Sequence, residues 1–253
     1  MEKVRFSVIG LGRIGMRHAK ISAEYEGSSL ISVTDIDSNQ LKNKDELGLD
    51  VITYNSINEF IEKDNNASDV VCISTPNGYH TEYSILLLKA GYHVVIEKPM
   101  GLSTSECEMV IRTMEETGNR VFVVKQNRYS PPSMWLKEIV NKKIIGDVLM
   151  VQTNCYWNRD DRYYSTSNWR GTRELDGGAL FTQFSHFVDI MYWVFGDIKT
   201  PFALTKNYTH SNLKDFDDSG FAQFEFLNGG IGSLNYSTSC WNQNMESSIT
   251  VIG

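Results

Sequence analysis

Gly10-Leu11-Gly12-Arg13-Ile14-Gly15 interrupts an apolar run that resumes as Leu30-Ile31-Ser32-Val33-Thr34-Asp35, and this pairing decides the fold. It reads as a strand, a glycine turn, a helix and a second strand ending in a carboxylate. Each part suits a dinucleotide. The first glycine permits a tight turn, the second lets backbone approach a pyrophosphate, and the third lets helix and strand pack closely. The helix then offers unsatisfied N–H groups to the phosphates. Asp35 lies about twenty residues past the last glycine, where ribose hydroxyls are held. Gly10, Gly12, Arg13, Ile14, Gly15 and Asp35 are therefore expected to bind the cofactor. An acidic strand end with no arginine immediately after it favours NAD over NADP.

The same grammar continues outward. Helical patterns are expected at Gln40–Leu47, Tyr79–Ala90 with Gly91 after it, and behind Ser56-Ile57-Asn58-Glu59 and Ser103-Thr104-Ser105-Glu106, two capping-box signatures. Short apolar strands are expected at Val51–Tyr54, Asp69–Ser74, His93–Glu97 and Val121–Lys125. Alternating strands and helices imply a doubly wound parallel sheet over residues 1–125. From Gln126 the pattern changes: a helix at Pro132–Lys142, a strand at Asp147–Tyr156, an irregular aromatic and charged segment to Asp176, and a long helix Gly178–Phe195. Extended runs Phe221–Leu227 and Ile231–Ser239 flank Asn228-Gly229-Gly230, a hairpin signal. Residues 126–253 thus read as an α+β substrate domain with a mostly antiparallel sheet. The last residues, Ser248–Gly253, read as a strand, which suggests that the sheet continues beyond them.

Composition narrows the function. A net charge of −7 disfavours nucleic acid and anionic membranes as partners. Cys72, Cys107, Cys155 and Cys240 are scattered without a CxxC pair, which fits reduced thiols in the cytoplasm and no metal site. No signal peptide or membrane-length apolar stretch is expected.

Four places carry candidate chemistry. Glu97-Lys98-Pro99 ends a parallel strand, where open α/β sheets place ligands. There the Lys98 ammonium is either a solvated surface charge or a donor to a substrate hydroxyl, and the X–Pro bond admits a cis form. His186 lies on the long helix, with Thr182 and Asp189 about one turn away. It is either a core histidine satisfied by one of them or a base, with an ordinary pKa near 6.5. Ser74-Thr75-Pro76-Asn77 follows a central strand and either touches the nicotinamide or is an ordinary turn; His80 caps the next helix or joins that contact, and His18 packs. Tyr156–Arg173 mixes aromatic rings with Arg159, Arg162, Arg170 and Arg173, which suits a nucleotide sugar or an interface between domains or subunits.

Taken in order, Gly10–Gly15, Ser74-Thr75-Pro76-Asn77-Gly78-Tyr79-His80, Glu97-Lys98-Pro99 and Gly177-Gly178-Ala179 through His186 and Asp189 resemble the Gfo/Idh/MocA oxidoreductases. The likeness spans nearly the whole chain. It implies an NAD-dependent dehydrogenase acting on CH–OH groups, working as a homo-oligomer (dimer or tetramer), with Lys98 and His186 facing nicotinamide and substrate. Cofactor contacts extend to Ser74, Thr75, Pro76, Asn77, His80, Glu97 and Lys98. Substrate contacts are expected from Lys98, Arg128, Tyr163, Trp169, Arg170, Thr182 and His186. Many sugar and cyclitol dehydrogenases of the family carry aspartate where this chain has Thr182. Members acting at C3 of nucleotide-linked amino sugars lack it too, and Trp169-Arg170-Gly171-Thr172 looks like theirs. The expected substrate is therefore C3 of a UDP-N-acetylhexosamine or its uronate. The alternatives are a free sugar or inositol dehydrogenase, an NAD-retaining glycosidase, and a non-catalytic NAD-binding subunit.

Overall fold

The computed structural model describes residues 2–48, 50–211, 213 and 217–253. It separates into two compact units, Met1–Val124 and Lys125–Gly253.

In the first unit, strands β1 (Val4–Ile9), β2 (Ser28–Thr34), β3 (Ile52–Tyr54), β4 (Val70–Ile73), β5 (His93–Ile96) and β6 (Val121–Val123) alternate with helices. The helices are α1 (Arg13–Glu24), α2 (Ser38–Leu41), α3 (Ile57–Lys63), α4 (His80–Lys89) and α5 (Thr104–Thr117). Every strand pair is parallel, in the order β3-β2-β1-β4-β5-β6. This is the doubly wound arrangement, and its order reverses between β1 and β4, where such sheets open a ligand crevice. Strand periodicity sends neighbours to opposite faces. Val8 and Cys72 join the cluster around Leu11, Met16 and Ala19, whereas Ile9, Val71 and Ile73 join the one around Phe60, Leu87 and Leu88.

Local signals explain the helix starts, with two departures. Ser103 and Glu106 form a reciprocal capping box. Ser56 accepts from Glu59 N–H at 3.1 Å, but the Glu59 carboxylate turns to Asn55 N–H at 2.8 Å, so the expected second box is only half made. The helix expected at Gln40–Leu47 is α2 capped by Asp37, followed by a tighter 3₁₀ turn at Lys42–Leu47.

The second unit holds α6 (Pro131–Asn141), β7 (Met150–Tyr156), α7 (Asp161–Tyr164), α8 (Ala179–Thr182), α9 (Ser185–Phe195), β8 (Ile198–Lys206), β9 (Ser219–Phe226), β10 (Ile231–Ser237) and β11 (Glu246–Ile252). The five-stranded sheet runs β11-β7-β10-β9-β8, with only β7–β10 parallel. The expected hairpin joins β9 to β10, closed by Phe226 N–H on Gly230 O at 3.0 Å. Ile190, Met191, Val194 and Phe195 of α9 bury against Val151, Phe224, Phe226, Leu234 and Tyr236 of the sheet. Residues 178–195 do not form one helix. The Phe184 N–H reaches back five residues to Ala179 O at 2.9 Å, which widens the turn, and α9 restarts at Ser185.

Phe60 is fully buried, with ring centroids of Tyr54 and Tyr92 at 5.6 and 5.3 Å. Phe60→Ala should therefore cost about 3–5 kcal/mol in denaturant unfolding of this unit. A loss below about 1 kcal/mol would contradict this packing.

Candidate cofactor and catalytic residues

Three glycines do three different jobs at the start of α1. Gly10 has φ +88°, and an added Cβ would sit 2.6 Å from Ser74 O, so the ends of β1 and β4 approach too closely for a side chain. At Gly15 a Cβ would lie 1.7 Å from Gly10 O. Gly12 is different, because a Cβ there meets nothing within 4 Å. The fold itself does not need glycine at that position; close approach by a ligand does. Gly12 also starts α1 without a side-chain cap, leaving the helix's first N–H groups to an anion. Arg13, Arg17 and Lys20 line a groove of about 570 Å³ beside it. These features fit the pyrophosphate of NAD.

Asp35, expected at the ribose, makes two backbone contacts of its own. Its Oδ2 accepts from Leu11 N–H at 2.7 Å and its Oδ1 from Asp37 N–H at 2.9 Å, so the carboxylate braces the glycine loop. Each oxygen keeps a second acceptor site for a ribose hydroxyl.

The ends of β4 and β5 are tied together by His80. Its Nδ1 lies 2.6 Å from Pro99 O and its Nε2 2.9 Å from Thr75 O, and the ring is 1% exposed. Burial pulls its pKa down, against the pull of those two carbonyls. His80, expected as a helix cap or a cofactor contact, is thus a brace between the Thr75 turn and the cis Lys98–Pro99 bond. Asn77 is buried in the same turn.

His18, expected only to pack, pairs with Glu97: Nε2 to Oε1 is 2.9 Å, with side chains 20% and 14% exposed. Burial alone would raise the Glu97 pKa. The His18 hydrogen bond and the charges of His18 and Lys98 outweigh it and hold the carboxyl below its usual range. The sequence signal was the spacing, since His18 follows Gly15 by three residues and so shares its sheet-facing side. Lys98 is half-buried at this edge, its N–H on Glu97 Oε2 at 3.2 Å.

In the second unit, His186 is half-buried in the first turn of α9. The two residues weighed as its orienters also make contacts elsewhere in this unit. Asp189 takes a two-pronged contact from Arg128, at 2.7 and 2.6 Å, with Lys125 at 3.9 Å. Arg128, expected at the substrate, is thereby held to α9 and also lies over the Trp193 ring at 5.7 Å. The Thr182 hydroxyl donates back to Gly178 O at 2.9 Å and lies against the Gln183 side-chain oxygen. Gln183 in turn donates to the Tyr163 hydroxyl at 3.1 Å.

Tyr163 is the hub of the aromatic segment. The guanidinium of Arg170 lies 4.6 Å from its ring centroid and that of Arg159 5.3 Å, while Arg159 also covers Trp157 and Arg170 covers Trp169. Arg162 is neutralised by Asp160, but neither Arg159 nor Arg170 makes an ion pair among the described residues. Guanidinium groups stacked on rings in this way are suited to grip phosphate or carboxylate. The segment is anchored from below by buried His210, which contacts Arg159 O and Asp218 Oδ2 (3.0 Å) and packs on Tyr164. Burial would raise the Asp218 pKa, but the Thr209 and Tyr208 N–H groups, His210 and Ser219 bring it down to about 2.

Among the described residues no His, Cys, Asp or Glu cluster is arranged to hold a metal, and no helix is long and apolar enough to cross a membrane.

Comparison with known proteins agrees with this fold. A family model described as the Gfo/Idh/MocA oxidoreductase family, NAD-binding Rossmann fold, matches residues 4–125, and that family's C-terminal domain model matches residues 134–253. The structure of the WlbA dehydrogenase from Bordetella pertussis, in complex with NADH and UDP-GlcNAcA, superposes with a TM-score of 0.93 at 32% identity, over 100% of this chain and 72% of that one. The myo-inositol 2-dehydrogenase of Lactobacillus plantarum gives 0.87 at 28%, over 100% and 74%. Among curated sequences, a 2,7-anhydro-N-acetylneuraminate hydratase of Mediterraneibacter gnavus is 26% identical over 241 residues, covering 93% of this chain and 62% of its own length. The chain therefore spans less than two thirds of that relative.

Two outcomes follow from the site. Gly12→Ala should fold with near-normal stability yet weaken NAD binding at least about tenfold by fluorescence titration, whereas Gly15→Ala should not fold. Equal NAD affinity in Gly12→Ala would contradict the pyrophosphate assignment. Asp218 stabilises the second unit in its ionised form, so its contribution is full above about pH 4 and is lost as pH falls toward about 2. Asp218→Asn should flatten that part of the acid-unfolding profile, and an unchanged profile would contradict the anchor.

Proposed function

Since the chain belongs to the Gfo/Idh/MocA oxidoreductase family, whose NAD-binding Rossmann domain forms its first unit, we propose that it oxidises a sugar secondary alcohol. The substrate of this reading is C3 of a UDP-N-acetylhexosamine or its uronate. One observation carries the substrate choice: the pair Arg159 and Arg170 stacked around Tyr163, with no ion pair among the described residues, suits an anionic nucleotide sugar better than a neutral cyclitol. The complex of the 32%-identical WlbA dehydrogenase with UDP-GlcNAcA supports it. Thr182, with no carboxylate at that position, supports it as well.

In this reading Lys98 and His186 converge on one hydroxyl. Neutral His186 accepts its proton, and the Lys98 ammonium stabilises the alkoxide that develops, the kind of preorganised donor worth about 3–4 kcal/mol. NAD, when bound, supplies the two-electron acceptor at the carbinol carbon. His80 and the Thr75 turn hold the strand ends, and the Arg128–Asp189 fork holds α9 at the turn after His186. The reading includes a reduced cytoplasmic setting, which the four thiols suit, and a homo-oligomer, which the exposed Phe202, Leu204 and Ile231 of the second sheet suit.

Purified protein, NAD and a panel of UDP-GlcNAcA, UDP-GlcNAc, myo-inositol and glycosides test this by nicotinamide absorbance and product analysis. Reduction with the UDP-linked sugars and a C3 ketone product are expected. Reduction by inositol alone, or sugar release without net reduction, would contradict the substrate. Lys98→Ala and His186→Ala should each lower kcat at least about a hundredfold while NAD affinity changes little.

A further inference from the structure

The turn between β10 and β11 lies on the segment that carries Arg159, and the reaction proposed above gives it no part. Both of its ends are paired to the chain leaving β7: Cys240 N–H donates to Trp157 O at 3.0 Å and Met245 N–H to Tyr156 O at 2.8 Å. Between them the Asn158 side chain donates to Cys240 O at 2.7 Å, and Arg162 Nη2 donates to Asn242 O at 3.1 Å. Asn244 Oδ1 accepts twice, from Asn158 N–H and from Arg159 Nη1, each at 3.1 Å. Asn242 closes the path with a φ of +60°, a conformation that asparagine tolerates. The turn is therefore a built element.

Yet it displays Trp241. That residue is 93% exposed, the highest value among the described large hydrophobic residues, while Cys240 and Asn242 on either side are fixed to the arginine segment. A ring held out on an anchored backbone loses little freedom when a second flat ring lies on it. The composition of the turn selects the occupant. The core of a protein interface gathers apolar side chains, but here Trp241 is followed by three carboxamides. Those of Asn242 and Gln243 are exposed and make no hydrogen bond among the described residues. A nucleobase has a π-face to stack and an edge of donors and acceptors, and a carboxamide offers both in return.

We propose that Trp241 is the stacking platform for the base of the nucleotide sugar, with the Asn242 and Gln243 carboxamides at the base's polar edge. Arg159 joins the turn to the anion-gripping cluster, since it bonds Asn244 while stacking on Trp157 and Tyr163. The inference rests on the nucleotide-sugar substrate proposed above and adds the group that recognises its base.

Calorimetric titration of the full chain, with NAD present, tests this without turnover. The probes are UDP and N-acetylglucosamine 1-phosphate, which lacks the base. Trp241→Ala should bind UDP about tenfold more weakly than the wild type, with the same affinity for the sugar phosphate. Trp241→Phe keeps a flat ring and should recover most of the loss. Because the side chain is exposed, both variants should keep the wild-type thermal midpoint. Unchanged UDP affinity in Trp241→Ala would overturn the platform, as would an equal loss for both probes. A wild-type oligomer that dissociates in Trp241→Ala, with UDP affinity unmoved, would assign the ring to a contact between copies instead. UDP binding indifferent to Trp241 removes only the platform and leaves the substrate reading standing. A wild type that binds neither UDP nor UDP-GlcNAcA removes both.

Discussion

A carbonyl oxygen of Gly10 stands where the Cβ of any other residue at position 15 would have to be, 1.7 Å away. That contact lets α1 begin directly at the end of β1. The uncapped helix N-terminus therefore faces the crevice where the strand order reverses. Everything proposed for the first unit follows from this placement. Asp35 returns from β2 to hold the loop through the Leu11 N–H, and His18, one turn along the helix from Gly15, reaches the carboxylate beside Lys98. One steric constraint thus couples the nucleotide-binding loop to the residue proposed to handle the substrate.

The second unit meets the opposite electrostatic need. Three of its acids are committed: Asp189 to Arg128, Asp160 to Arg162, and Asp218 to His210 and the backbone around it. Arg159 and Arg170 are stacked on aromatic rings and make no ion pair among the described residues, in a protein whose net charge is −7. Two cations held on aromatic rings within an acidic chain are the feature on which the proposed anionic substrate rests.

What could be read from the sequence was what depends on local chemistry. Glycine turns, serine caps, strand periodicity and the Asn228-Gly229-Gly230 hairpin act over a few residues, and they placed the parallel and antiparallel sheets with element ends within a few positions. The misses came from tertiary pairing. His18 looked like a packing residue because Glu97 is 79 positions away. Arg128 looked available because Asp189 is 61 positions away. The break at Gln183–Phe184 comes with a Phe184 N–H that reaches back five residues to Ala179 O, which no helical periodicity encodes. His80 carried a histidine's usual chemical promise, and only the meeting of two strand ends shows its ring nitrogens facing backbone carbonyls.

The reaction proposed here requires Lys98 and His186 to work on the same hydroxyl. A double-mutant cycle on kcat measures that cooperation directly. If the two groups act as one assembly, Lys98→Ala combined with His186→Ala will be little slower than the worse single variant. Losses that simply multiply would show two side chains acting independently, and the shared site would have to be abandoned.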